Sequence, residues 1–197
     1  MILDDLLNSG EIVELERLYG SFPRRHHRLA VGSEHIEWWA DKVLNDRRGE
    51  VVLAVQGNSG EVLLHTKSSY PPGIYRLLSG GVSWGEGVAT ALRREVYEET
   101  GYQTFDEQFL GLVSYEFHCA DCCLPFVSYV YLLTGIKGQP VVQDEEEEIS
   151  AFRWAPVSEL AVMAAALRSV PEDSPGFRDW GRFRALAHDF LFARIKG

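Results

Sequence analysis

The segment Gly80 to Tyr102, GGVSWGEGVATALRREVYEETGY, constrains this chain more than any other stretch. Gly80, Gly81, Gly85 and Gly87 crowd its start, and Ala89, Ala91, Leu92, Arg94, Glu95, Glu98 and Glu99 are good helix formers, so a helix over 86–100 is expected. At 3.6 residues per turn, Glu95, Glu98 and Glu99 stand as i, i+3 and i+4 and share one face. Carboxylates with a solution pKa near ~4.3 repel one another there at neutral pH, by roughly 0.2–0.5 kcal/mol per exposed pair and by more when half buried. Such crowding calls for a cation. Hard divalent ions that prefer oxygen suit the set, Mg2+ first with Mn2+ able to substitute, and Mg2+ typically takes waters and substrate phosphates as its other ligands. Arg94 adds a fixed fork that can hold a neighbouring carboxylate in one orientation. On charge pattern alone, the competing reading is a solvated acidic helix face.

The spacing decides between the two. Gly80, five residues, Glu86, seven residues, Arg94 and Glu95, the aliphatic Val96, one residue, Glu98 and Glu99, one residue and Gly101 together resemble the signature of the Nudix hydrolases. Tyr102 stands where an aliphatic is usual, and Ser83 where many members carry a further Glu. The resemblance implies an α/β fold, an α/β/α sandwich of mixed sheet over roughly 46–168, flanked here by N-terminal and C-terminal helices. It also implies Mg2+ held by Glu95, Glu98 and Glu99, catalytic parts for Glu95, Glu98 and Arg94, and structural parts for Gly80, Glu86 and Gly101. Glu86 is expected to pair with Arg94 or support the helix dipole, and a carbonyl at Ser79 or Gly80 is a further candidate ligand. The proton acceptor is either one of the helix glutamates or a loop Glu among 145–148, with Glu146 and Glu147 the foremost candidates. A solvated acidic loop is the alternative reading of that run. Arg76 and Lys67 are candidate phosphate contacts or surface charges at strand ends, and Tyr70, Tyr75 and Phe117 stack on a base or fill the core.

Apolar spacing organises the rest. Leu3, Leu6, Leu7, Ile12, Leu15 and Leu18 form a helical stripe, and 33–44 reads as a second helix with Ile36, Trp39 and Val43 inward. Between them the basic cluster of Arg24, Arg25, His26, His27 and Arg28 reads as a solvated linker or a phosphate contact from a partner subunit. Residues 45–50 read as a turn into the main domain, which divides the chain into a helical extension, 1–45, and a catalytic unit, 46–197. Strands are expected over 51–55 and 61–66 as a hairpin about 57–60, over 75–78 before a glycine loop, over 110–117 and 126–133 as an antiparallel pair, and over 149–154. Helices close the chain, one from Pro156 through Leu167 and one over 177–195 with Trp180, Phe183, Leu186, Ala187, Phe190 and Leu191 on one face, packed on the sandwich or at a homodimer contact.

Composition narrows the function. A chain of 197 residues with 46% hydrophobic content can bury a core of ordinary size. A net charge of −10 argues against binding nucleic acid through a broad basic surface, while a bound metal can still invert the local potential for a polyanionic small substrate. No apolar run approaches the ~20 residues that span a bilayer, and the acidic start is unlike a signal peptide, so a cytoplasmic protein without membrane partners is expected. Cys119, Cys122 and Cys123 beside His118 have the residue types of a zinc site but lack a second ligand pair, which favours reduced thiols at a hairpin turn. The expected activity is Mg2+-dependent hydrolysis of a diphosphate bond in a nucleoside diphosphate linked to another group. The alternatives are a nucleotide-sugar or ADP-ribose sensor that does not cleave, and an isopentenyl-diphosphate isomerase, whose relatives share the fold but need a catalytic Cys and a His-rich metal site.

Overall fold

The computed structural model describes residues 6–7, 9–120, 122–171 and 177–195. In chain order the elements are α1 (Ser9–Tyr19), β1 (Arg24–Ala30), α2 (Ser33–Asn45), β2 (Arg47–Val55), β3 (Val62–Lys67), β4 (Arg76–Ser83), α3 (Val88–Thr100), β5 (Asp106–Cys119), β6 (Cys122–Thr134), a 3-10 turn (Glu145–Glu147), β7 (Ile149–Ala155), α4 (Glu159–Arg168) and α5 (Phe177–Ile195). The strands form one mixed sheet in the order β1-β5-β6-β2-β4-β3-β7, with β1/β5 and β2/β6 parallel and the other pairs antiparallel.

Alternation along the strands sends side chains to two helical layers. Gly80 and Tyr131 face α3 and α1: Glu95 of α3 lies against Gly80, and Tyr19 of α1 meets Tyr131 edge-on. Tyr115, Phe117 and Phe126 face the other way, where Trp39 of α2 and Phe183 of α5 pack on their rings. The result is an α/β/α sandwich. Every residue of β2 after Arg47 is buried, as expected of a strand that lies inside the sheet and is covered on both faces.

Several local expectations need correction. The stretches 51–55 and 61–66 are not a paired hairpin, because β4 enters between β2 and β3 and leaves only an isolated bridge, Gln56 to Val62. The residues 47–50 belong to β2 rather than to a turn, and Gly80 and Gly81 lie within a strand rather than in a loop. The basic cluster is the edge strand β1, not a linker. Residues before 46 therefore supply a strand as well as helices. In the N-terminal stripe Leu6 and Leu15 are buried but Leu18 is exposed, and Leu3 lies outside the described residues. α4 begins at Glu159, after a turn in which the Glu159 amide donates to the Pro156 carbonyl.

α3 starts two residues later than expected because Gly85, at φ 82°, and the extended Gly87 keep Glu86 outside it. Its first amide, Val88 N–H, donates to the Glu11 carboxylate at 3.0 Å, so α1 caps the helix at the end where a negative charge is favoured. Glu11 also holds the buried Arg48 at 2.9 Å and accepts from the Tyr129 hydroxyl at 3.1 Å. At the other end Gly101 takes the left-handed cap at φ 73°, and the loop amides of Val141 and Gln143 donate to the Thr100 and Glu98 carbonyls, each at 2.9 Å. A Cβ on Gly101 would lie 2.9 Å from the Val141 carbonyl, so this cap requires glycine twice over.

Candidate active site

The site begins with a close approach of backbone to side chain. A Cβ at Gly80 would fall 1.7 Å from the Glu95 carboxyl carbon, so only glycine lets β4 and α3 meet here. Arg94 then organises the carboxylates. Its Nε and Nη2 grip both oxygens of Glu86 at 3.0 Å, its Nη1 donates to Glu95 Oε1 at 2.8 Å and Glu98 Oε2 at 2.9 Å, and its Nη2 also donates to the Gly81 carbonyl at 2.8 Å. Glu86 in addition accepts from the Ser83 amide at 3.1 Å and closes the turn before the helix.

With Glu95 Oε1 held by Arg94, the other oxygen is left over. Glu95 Oε2 and both oxygens of Glu99 are buried without a hydrogen-bond partner among the described residues. Burial raises the Glu95 carboxyl to about 7 against the pull of Arg94, and it raises the fully buried Glu99 to about 8, with Glu147 pushing both further up. Carboxylate oxygens left without a donor are of the chemistry that suits a hard divalent cation, which would supply the compensation that hydrogen bonds do not.

Glu95 opens onto a cleft of about 670 Å3, which is lined around it by Gly80, Lys67, Arg76, Glu146 and Glu147. The cleft opens where β4 passes from pairing with β2 to pairing with β3. The loop pinned to the end of α3 brings up Glu147, half-buried and held by Lys67 Nζ at 3.0 Å, while Glu146 is exposed at the rim. Lys67 is thus paired rather than free. Arg76 is buried rather than at the surface, donating to the Tyr70 hydroxyl at 2.8 Å, the Leu77 carbonyl at 2.7 Å and Ser79 Oγ at 2.9 Å. Arg94, Glu98, Glu99, Glu86 and Gly101 lie outside the lining.

Of the three aromatic candidates only Tyr70 reaches the cleft, since Phe117 is core and Tyr75 lies beneath the Arg153 guanidinium. The aromatic wall instead comes from Trp38 and Trp39 of α2 and Phe177 and Trp180 of α5. Glu34, Trp38 and Lys42, one helical turn apart on α2, also line it, as do Arg47 and Arg184. Sequence reasoning missed these residues. The one available signal was the i, i+4, i+8 spacing of Glu34, Trp38 and Lys42 on a helix whose apolar residues already faced elsewhere.

The three cysteines are free thiols at the β5/β6 hairpin, and none lines the cleft. The ligand-type group near them is Glu116, His118 and Cys123 rather than the three cysteines. Arg28 Nε already donates to His118 Nε2 and lies 3.2 Å from Glu116, which places a positive charge where a metal would sit.

A mixed sheet between helical layers, with a glutamate-bearing helix clasped to a glycine strand at the foot of a cleft, is the architecture of a recognised class. The model of the NUDIX domain matches residues 46–179, and the chain belongs to the Nudix hydrolase family. It is 28% identical over 118 residues to the NAD-capped RNA hydrolase NudC of Pseudomonas aeruginosa, covering 58% of this chain and 38% of that protein. To the human mitochondrial NAD(P)H pyrophosphatase NUDT13 it is 27% identical over 111 residues, 56% of this chain and 30% of that protein. The chain thus spans about two fifths or less of the length of these curated relatives. Among solved structures, the E. coli dihydroneopterin triphosphate pyrophosphohydrolase superposes with a TM-score of 0.53 at 18% identity, over 77% of this chain and 98% of that one, a likeness of fold. No helix among the described residues is long and apolar enough to cross a membrane.

Proposed function

We propose that this chain hydrolyses a diphosphate bond in a nucleoside diphosphate linked to another group, with Mg2+ as cofactor. The observation that carries this reading is the set of buried, unpartnered oxygens of Glu95, which lines the cleft, and of Glu99, four residues on along α3, with Lys67, Arg76 and Arg184 also in the cleft lining. Glu95, Glu98 and Glu99 are the residues that would hold the metal, with the carbonyl at Ser79 or Gly80 as a further ligand. When bound, the metal supplies neutralisation of phosphoryl charge and activation of water near neutral pH.

The protein's own groups do the rest. Arg94 is a positioning residue: by fixing one oxygen each of Glu95 and Glu98 it aims the remaining oxygens. Gly80 keeps the strand out of Glu95's space. Glu147 is the favoured proton acceptor, because it lines the cleft, is half-buried and is oriented by Lys67, whereas Glu146 projects into solvent. Arg76 meets the diphosphate, and the aromatic wall takes the base or its substituent. We take 46–197 as the catalytic unit and 1–45 as an extension that completes the cleft. The isomerase alternative lacks its cysteine, since none of the three lines the cleft.

A chromatographic product screen over nucleoside triphosphates, ADP-ribose, NADH, nucleotide sugars and dinucleoside polyphosphates, read as the phosphomonoesters or pyrophosphate formed, tests the reading. Mg2+-dependent turnover of a diphosphate-linked nucleoside supports it. Silence throughout, with tight binding of one compound, would make the chain a sensor instead.

A further inference from the structure

We propose that Arg184 of α5 and Arg76 of β4 form a two-arginine clamp for a phosphoryl group of the substrate's diphosphate. The proposal rests on the hydrolase reading and adds to it a residue beyond the matched segment 46–179.

Both residues line the cleft, and both guanidinium groups donate to a single oxygen, Ser79 Oγ, at 2.9 Å from Arg76 Nη1 and 3.3 Å from Arg184 Nη1. One hydroxyl therefore bridges two like charges in a largely dehydrated setting. Two carboxylates face the pair, Glu99 towards Arg76, and Glu50, whose Oε2 accepts from Arg184 Nη1 at 2.5 Å and whose Oε1 is taken by the Ser128 hydroxyl at 2.7 Å. Glu99 is assigned to the metal, and Lys67 and Glu147 satisfy each other at 3.0 Å. His65 and His188 are held neutral, burial being the first cause and the two arginines a further one. Arg184 itself stays below the usual arginine value, chiefly through burial and also through Arg76, despite its partner Glu50.

Arg184 Nε is buried with no hydrogen-bond partner among the described residues, so the protein does not fully satisfy this guanidinium. Trp39 at 5.8 Å and Phe183 at 4.7 Å lie against its plane and hold it in place. Two guanidinium groups fixed beside one hydroxyl match the several oxygens of a phosphoryl dianion better than they match one another. Ser79 directly precedes Gly80, so an anion there would lie beside the carboxylates that take the metal. The competing role is simple neutralisation of Glu50. That role accounts for one nitrogen of Arg184 but not for the unpartnered Nε or for the approach to Arg76.

The test uses inorganic pyrophosphate as probe and the full chain in EDTA, with binding measured by calorimetry. Because no metal and no turnover enter, failure here is distinguishable from failure of the hydrolase reading. Glu50→Gln/Arg184→Gln removes both members of the buried pair, so no lone charge remains to unfold the protein. Arg184→Lys keeps the charge opposite Glu50 and loses the fork. The proposal expects pyrophosphate affinity to fall at least about tenfold in the double variant and several-fold in Arg184→Lys. On whichever substrate the screen identifies, KM should rise more than kcat falls. Equal pyrophosphate affinity in the wild type and both variants, or no pyrophosphate binding by the wild type, would overturn it.

Discussion

Glu99 concentrates the physical tension of the site. A fully buried carboxyl without a donor lowers the stability of the metal-free fold and is worth having only if a cation arrives. Glu99→Gln should therefore leave the metal-free melting temperature unchanged or higher, abolish its rise on adding Mg2+, and cut turnover about 100-fold or more. Melting curves with and without Mg2+, beside an initial-rate assay, check all three. A metal-free variant much less stable than the wild type would make Glu99 a structural residue.

His188 gives a pH prediction of its own. Its Nε2 accepts from the Leu77 amide at 3.1 Å, and its Nδ1–H donates to the Arg184 carbonyl at 3.0 Å, so the ring fits only as the neutral tautomer. Burial, with Arg76 and Arg184 adding to it, lowers its pKa to about 4. Its contribution to stability is complete above pH 6.5, where folded and unfolded rings are both neutral, and is lost as pH falls from 6.5 towards 4, because the unfolded chain takes up the proton first. The loss reaches about 3 kcal/mol at pH 4. Unfolding free energies of the wild type and His188→Gln should therefore converge as pH falls through this window. A constant gap between them would show that His188 does not titrate on unfolding.

At the scale of elements, α3 is held at both ends by parts of the chain distant in sequence. Glu11→Ala removes the carboxylate that meets Val88 N–H and leaves the Arg48 charge buried, so unfolding stability should drop by about 2–4 kcal/mol in a denaturant titration. Gly80→Ala drives a methyl into Glu95, at a cost of about 1–3 kcal/mol and, through displacement of that carboxylate, about 100-fold in turnover. Stability lost with turnover kept would mean that Glu95's position does not matter to the chemistry. The helix and its carboxylate face were legible in the sequence because periodicity and spacing are local properties. The pairing of Arg94 with Glu86 was legible for the same reason. The β2–β3 hairpin was misread because a turn signal at 57–60 cannot report that β4 will enter between the strands. Arg24 to Arg28 looked like a linker because their charges hide a strand that pairs on one side only, with β5. Glu11, Glu50 and Arg184 carried no local signal at all, since each matters through a partner at least 37 residues away.

Over the whole molecule the cleft is shared between segments of different origin. The carboxylates, Lys67 and Arg76 lie in the matched segment 46–179, whereas Glu34, Trp38, Trp39 and Lys42 precede it and Arg184 follows it. Catalytic machinery and substrate choice are thereby separable in this architecture. Trp38, which is 55% exposed yet lines the cleft, is the residue to test. Trp38→Ala should raise KM about tenfold for an aromatic nucleotide substrate with little change in kcat or melting temperature. An unchanged KM would remove α2 from substrate recognition.

The central claim is that buried glutamates at 95 and 99 take up a divalent cation beside a diphosphate. Isothermal titration calorimetry of Mg2+ into the wild type and Glu99→Gln, with a non-hydrolysable ADP-ribose analogue present and in buffers of different ionisation enthalpy, tests it most directly. The account predicts saturable uptake by the wild type, with proton release at neutral pH because burial raises both carboxyls into or above that range without metal, and no such uptake by the variant. Identical Mg2+ isotherms for the two proteins, or no uptake by either, would contradict it.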